Sequence, residues 1–181
     1  MNFLELISSR QSVRRYQDRP VEPEKIATLL EAVRLAPSAS NSQPWRVIIV
    51  NDPIVKDAVA RSTFSGLISF NKFAPEAPVI AVFTIERPKI ITQIGAHLKG
   101  REFPLIDIGI AAEHFCLQAT ELGVGTCMLG WFDEESIKRL LGIPEKTRIG
   151  LLITLGYAAE GYPLREKNRK SVLEISSFNH Y

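Results

Sequence analysis

Pro37-Ser38-Ala39-Ser40-Asn41-Ser42-Gln43-Pro44-Trp45 sets five hydroxyl or amide side chains between two prolines and leads straight into Arg46-Val47-Ile48-Ile49-Val50. The segment can be neither helix nor interior strand. Proline lacks the amide donor that regular structure needs, and Ser and Asn side chains bond their own backbone and favour turns. Upstream, Ile26, Leu29, Leu30 and Val33 share one face of a helix over Pro23–Leu35, with Pro23 suited to its first turn. Downstream, the apolar run predicts a strand over Arg46–Asn51. A polar loop held between a helix and a strand is where ligand contacts concentrate.

Working outward, Phe3, Leu4 and Ile7 recur at helical spacing over Asn2–Ser9, and a further helix is expected at Pro53–Arg61. Thr63–Lys72 has no clean period and reads as irregular. Pro78–Thr84 is a proline-bounded buried strand. Leu105–Leu122 is the longest helix, apolar on most of its circumference, with Asp107, His114, Gln118 and Glu121 on one narrow polar stripe. Such a helix is buried in a core or against a second subunit. Gly123 and Gly125 end it. Thr126–Leu129 is a short strand, and Asp133 caps a helix at Glu134–Leu141 that Gly142-Ile143-Pro144 stops. Arg148–Leu155 is a last core strand. The remainder, 156–181, is a polar tail too extended to fold on itself, and it is expected to lie across another subunit. Helices and strands intermix without βαβ alternation, so the class is α+β with a mostly antiparallel or mixed sheet.

A chain of 181 residues, 45% hydrophobic and 23% charged, is ordinary for one globular domain, here 1–181. Its 22 Lys+Arg against 20 Asp+Glu leave a net charge of +2, which supplies no general basic surface for nucleic acid or anionic membranes. No apolar stretch approaches the roughly 20 residues of a membrane span, and the N-terminus has an early acid and no basic region of a secretory signal. Cys116 and Cys127 form no CxxC motif. The simplest expectation is a reducing cytoplasm with both thiols buried and structural.

Three segments carry chemistry. Arg10-Gln11-Ser12-Val13-Arg14-Arg15-Tyr16 offers guanidinium forks and a hydroxyl that suit a phosphate, although alone it reads as a solvated basic turn. Lys167-Asn168-Arg169-Lys170 alone is a charged tail. Their joint presence with the polar loop favours an anionic ligand. In Thr126-Cys127-Met128-Leu129-Gly130-Trp131-Phe132 a strand breaks at a glycine that lets backbone approach a flat ligand, with Trp131 as a wall; the other reading is a strand end with core aromatics. Glu113 lies off the polar stripe and reads as a paired structural carboxylate. His114 reads as exposed or interfacial. There is no GxGxxG in a strand–turn–helix setting, no Walker loop and no GxSxG elbow, and His97, His114 and His180 fall at no metal-ligand spacing with the cysteines.

Taken in order, Ser9–Tyr16, Ala36–Trp45, Gly123-Val124-Gly125-Thr126-Cys127 and Lys167-Asn168-Arg169 resemble the nitroreductase family of FMN-dependent oxidoreductases, over essentially the whole chain. The resemblance implies an intertwined homodimer with FMN bound at the subunit interface. It implies that Arg10, Gln11 and Ser12 hold the ribityl phosphate with Lys167 and Arg169, and that Arg14 reaches the pyrimidine edge. Pro37, Ser38, Ala39 and Asn41 of the other subunit would line the ring and ribityl chain; members of the family often have a hydroxyl where Ala39 stands. Met128, Leu129 and Gly130 would pack beneath the ring, with a backbone N–H near Gly130 offered to flavin N5, although many members have an acid there. Asn71 and Lys72 match a further flavin-contacting pair, and the region around residues 85–105 is shorter than in many members. The implied activity is hydride transfer from NADH or NADPH through flavin N5 to nitroaromatic or quinone-like acceptors, by a ping-pong scheme that assigns no side chain a catalytic acid or base role. Two alternatives stand beside it: a non-catalytic flavin-binding protein, and a related flavin dehydrogenase or dehalogenase with another substrate.

Overall fold

Four apolar runs make the sheet on which everything else is hung: β1 (Trp45–Val50), β2 (Val79–Ile85), β3 (Gly125–Leu129) and β4 (Arg148–Gly156). The computed structural model describes residues 2–67, 69–86 and 101–181. Strand order is β1-β2-β4-β3, and each neighbouring pair is antiparallel. Side chains alternate between faces with period two. Val79, Ala81, Phe83, Ile153 and Leu155 enter one core, and Ile80, Val82, Cys127, Leu129 and Leu152 the other. Because both faces are covered, the strands read as continuous apolar runs instead of alternating ones.

The first core is closed by α2 (Pro23–Arg34) and α4 (Phe103–Glu121), which contribute Leu29, Val33, Ala111, Ala112, Phe115 and Ala119. Phe115 meets Phe83 edge to face with ring centroids 5.9 Å apart, the arrangement that the ring quadrupoles favour. The second core is closed by α3 (Pro53–Arg61) and α5 (Glu134–Leu141) through Val59, Ala60 and Ile137. Asp52 caps α3 and Asp133 caps α5, each accepting backbone N–H groups of the first turn. α1 (Phe3–Ser9) starts at an Asn2–Glu5 capping box. A single turn, α6 (Val172–Ile175), lies in the tail behind a second capping box, Ser171 with Glu174.

The fold is α+β, as expected, with adjustments at several element ends and at Asp107. α4 starts at Phe103, two residues earlier than the pattern suggests, because Pro104 occupies the first turn, where a missing N–H leaves nothing unpaired. β1 and β2 are each shifted by one residue from expectation, to Trp45–Val50 and Val79–Ile85, and β3 and β4 each gain a terminal glycine. Asp107 does not share a solvent-facing stripe with Gln118 and Glu121: it is 3% exposed, covered by the loop at residues 38–43. His114 is half-buried, its Nδ1 3.2 Å from Ala32 O on α2. His97 and most of the short 85–105 region lie outside the described residues.

Candidate functional site

β3 is an edge strand, and the segment after α1 runs along it. Val13 N–H donates to Thr126 O at 2.8 Å, and Ser12 forms a parallel bridge with Thr126. This close approach depends on Gly125 and Gly156, which face each other across β3 and β4. A Cβ on Gly125 would stand 2.6 Å from Val13 Cγ2, and one on Gly156 would stand 2.5 Å from Pro78 Cδ and 2.9 Å from Tyr16 Cδ1. Tyr16 then pins the segment from below, its buried hydroxyl bridging Val13 O at 2.9 Å and Thr154 Oγ1 at 2.7 Å. Burial pushes the Tyr16 phenol up, so it serves as a fixed structural group.

The same segment is stitched to the tail. Ala159 N–H donates to Arg15 O at 3.0 Å and Gln17 Nε2 to Ala158 O at 2.7 Å. The Tyr162 hydroxyl accepts Arg14 N–H at 3.1 Å. Gln11 Nε2 donates to Pro163 O at 3.0 Å, while Gln11 Oε1 accepts Arg165 N–H at 3.1 Å. Arg165 Nη2 donates to Ser12 O, and Lys167 Nζ to Arg10 O. The product is a cleft of about 280 Å³ lined by Arg10, Gln11, Ser12, Arg14, Arg165, Glu166, Lys167 and Arg169.

Five of those side chains (Arg10, Arg14, Arg165, Lys167 and Arg169) are cationic, against the single carboxylate of Glu166. Arg10 Nη2 is held 2.8 Å from Glu113 Oε2 on α4, a bond that raises its affinity for the proton further. Glu113 is thus the paired carboxylate expected. Partial burial, with Arg169 and Arg10 close by, holds the Lys167 ammonium below the ordinary lysine value. An anion entering the cleft relieves that mutual repulsion. The volume falls just under the roughly 300–1,000 Å³ of typical small-molecule pockets. The cleft's cationic lining suits the anionic end of a ligand. A groove of about 330 Å³ is less suited to an anion, because its two cations, Arg19 and Lys56, are balanced by the carboxylates of Asp18 and Glu76. Lys56 donates to Pro75 O at 2.6 Å, Arg19 to Glu22 at 2.9 Å, and Glu76 accepts Tyr16 N–H at 3.3 Å.

The loop of Pro37–Trp45 is a separate feature that does not line the cleft. Ala39–Asn41 form a 3₁₀ turn, and Ser40, Asn41 and Gln43 adopt φ of 51°, 49° and 46°. Ser38 Oγ accepts Gln43 N–H at 2.9 Å, and Asn41 Oδ1 accepts Gln43 Nε2 at 2.8 Å. The strand end at Met128–Gly130 is distinct again. Met128 is half-buried against the first core and Leu129 is sealed in the second, so the Leu129 side chain is closed to a ligand. Gly130 is exposed, and a Cβ there would meet nothing within 4 Å. Beside it Trp131 is 55% exposed and stands edge to face with Phe70 at 6.4 Å. Asn71 is buried and spends its amide donors on Thr63 O (3.1 Å) and Trp131 O (3.2 Å), bracing that wall from behind, whereas Lys72 is exposed.

The single chain thus unites the residues expected around Arg10 with those around Lys167, and leaves Pro37–Asn41 and Met128–Gly130 outside that cleft. Arg165 and Tyr162 were not singled out by sequence. Arg165 had a signal, since 165, 167 and 169 are spaced by two and so fall on one side of an extended chain. Cys116 and Cys127 are free and buried. Burial pushes the Cys116 thiol up to about 12 and the Cys127 thiol up as well, so neither is an available nucleophile. Among the described residues no group of three His, Cys, Asp or Glu could hold a metal.

The profile of the Nitroreductase family matches residues 7–157. A protein of Thermus thermophilus named NADH dehydrogenase is 30% identical, the match covering 85% of this chain and 86% of the relative. The FMN reductase [NAD(P)H] of Bacillus subtilis is 28% identical, over 96% of this chain and 71% of its own length. Among solved structures, a nitroreductase family protein from Clostridium difficile 630 superposes with a TM-score of 0.78 at 27% identity, covering 100% of both chains. By sequence profile, by relatives and by fold, this chain belongs to the nitroreductase family.

Proposed function

We propose that the protein is an FMN-dependent oxidoreductase drawing electrons from NADH or NADPH, acting as a cytoplasmic homodimer with FMN at the subunit interface. The observation that carries this reading is the cleft in which residues 10–14 and 165–169 gather five cations against one carboxylate. The residues present fit FMN. A dianionic phosphate is matched by guanidinium forks and an ammonium, and the flat ring has open ground at exposed Gly130. The names of the Bacillus subtilis and Thermus thermophilus relatives support the cofactor and the donor.

On this reading Arg10, Gln11, Ser12, Lys167 and Arg169 hold the ribityl phosphate. Arg14 stands as a fixed cation at the pyrimidine edge, where charge gathers on reduction. The backbone of Met128, Leu129 and Gly130 supports the ring, and Pro37, Ser38, Ala39 and Asn41 of a second copy cover its other parts. Bound FMN supplies the hydride chemistry; the chain supplies position, charge and exclusion of water. Donor and acceptor use the same open face in turn, which gives ping-pong kinetics with nitroaromatic or quinone-like acceptors. Phe3, Leu4, Ile106, Leu173 and Phe178 are exposed apolar groups of the kind that a second copy covers. No helix among the described residues is long and apolar enough to cross a membrane.

A purely sequestering flavin protein would close the ring face with bulk, and Gly130 is open instead. The visible spectrum of the protein as isolated is the deciding measurement. A yellow dimer whose flavin absorbance bleaches with NADH or NADPH and returns on adding an acceptor is the expected result. A colourless monomer that cannot be reconstituted with FMN would overturn the proposal.

A further inference from the structure

Asp107, near the start of α4, is 3% exposed. Its Oδ1 accepts the Ala39 N–H at 3.0 Å, while its Oδ2 is buried without a hydrogen-bond partner among the described residues. The other buried side-chain atom in that condition is Ser42 Oγ, in the same loop. Between these points Ser40, Asn41 and Gln43 hold φ near 50° without being glycine. L-residues disfavour that region, and it persists only where surroundings impose it.

What imposes it is mostly internal. Asn41 N–H donates to Ser38 O and Ser42 N–H to Ala39 O, each at 3.0 Å, and Gln43 is bonded to Ser38 and Asn41. Such bonds shape the turn and do not fasten it to the body. Among the described residues, the hydrogen bond that leaves 38–43 for another element is the one from Ala39 to Asp107. A buried carboxylate with one donor is poorly satisfied, so Asp107 is not explained as a source of stability for α4. It is placed as an anchor.

We infer that Asp107 is a positioning residue for flavin binding: it locks the Ala39–Gln43 turn in the shape that meets the ring and ribityl end of the ligand. The inference rests on the reading of this loop given above. It separates two functions along the chain. The cleft at Arg10 recognises phosphate, and the loop anchored by Asp107 recognises the part of FMN that riboflavin shares.

The test is the dissociation constant of FMN and of riboflavin, from quenching of flavin fluorescence, for wild type, Asp107→Ala, Asp107→Asn and Arg10→Ala. Losing a hydrogen bond to a charged group predicts that Asp107→Ala weakens both flavins alike, by about tenfold or more. Asp107→Asn keeps an acceptor for the Ala39 N–H and restores most of the affinity. Arg10→Ala weakens FMN and leaves riboflavin unchanged. Should Asp107→Ala fail to fold, Ala39→Pro deletes the donor instead. Ser38 already has the extended backbone that a residue before proline requires, φ −149° and ψ 157°, and the same equal loss for both flavins is expected. Wild-type affinity for both flavins in the folded variant, or a loss confined to FMN, overturns the role of Asp107 alone. Wild type that binds neither flavin overturns the proposed function and this inference with it.

Discussion

The cleft around Arg10 and the loop at Pro37–Trp45 are both polar and both at the surface, yet they are built in opposite ways. In the cleft, Arg10 is paired with Glu113, Gln11 is bonded at both ends of its amide, and Lys167 and Arg165 donate to backbone carbonyls. The loop carries three strained backbone positions, and Ser42 Oγ and Asp107 Oδ2, buried without a hydrogen-bond partner among the described residues, lie in and beneath it. Recognition by charge tolerates solvent and can be finished within one chain. On the proposed reading the loop meets a flat, largely apolar surface and needs a rigid shape, which its internal bonds and the Asp107 anchor supply.

The largest expected effect falls on the cleft. Arg10→Ala should weaken FMN binding by roughly 1.5–3 kcal/mol, the scale of a lost hydrogen bond to a charged group. Raising the salt concentration should weaken FMN and spare riboflavin. Riboflavin suffering equally would erase the division between the two regions. Next is Gly156→Ala, whose added methyl collides with Pro78 and Tyr16. It should destabilise the protein by about 1–3 kcal/mol in urea unfolding, as overpacking does, and unchanged stability would show that the Tyr16 segment can yield. Arg165→Ala should cost about 0.5–1.5 kcal/mol of FMN affinity in the same titration, because Arg165 steadies Ser12 in addition to adding charge. Smallest is Ser40→Gly, which relieves a left-handed backbone while adding flexibility. It should raise stability by about 0.5 kcal/mol on thermal melting and yet loosen flavin binding. A stability loss there would mean that the loop is not strained in the way its φ values imply.

Much of this contrast could be read before the fold was known. The basic residues at 10–14 and at 167–169 announce themselves by charge, and Pro37–Trp45 by its punctuation. α3 and α5 fall at their expected limits, because the aspartate caps, Pro53 in the first turn of α3 and the Gly142 stop of α5 are local signals. Asp107 was not legible. Spacing assigned it to a polar stripe with His114 and Gln118, and only a loop some 68 residues away in sequence decides that it is buried. Nor could the pairing of Gly125 with Gly156 be foreseen, since it exists to admit Val13 and Tyr16 from a remote segment. What escapes sequence reading is what depends on contacts between distant positions.

The stitches between residues 11–12 and 163–165 join points 152 to 154 positions apart. The lining from residues 10 to 14 lies near the start of the chain, and that from 165 to 169 near its end. Closing so long a loop is entropically unfavourable until the intervening sheet has brought its ends together. On the proposed reading, the phosphate seat is therefore complete only once residues 165–169 have docked beside residues 10–14. Bound ligand acts as a clasp on that last closure, favouring the folded form in proportion to the logarithm of its concentration over its dissociation constant.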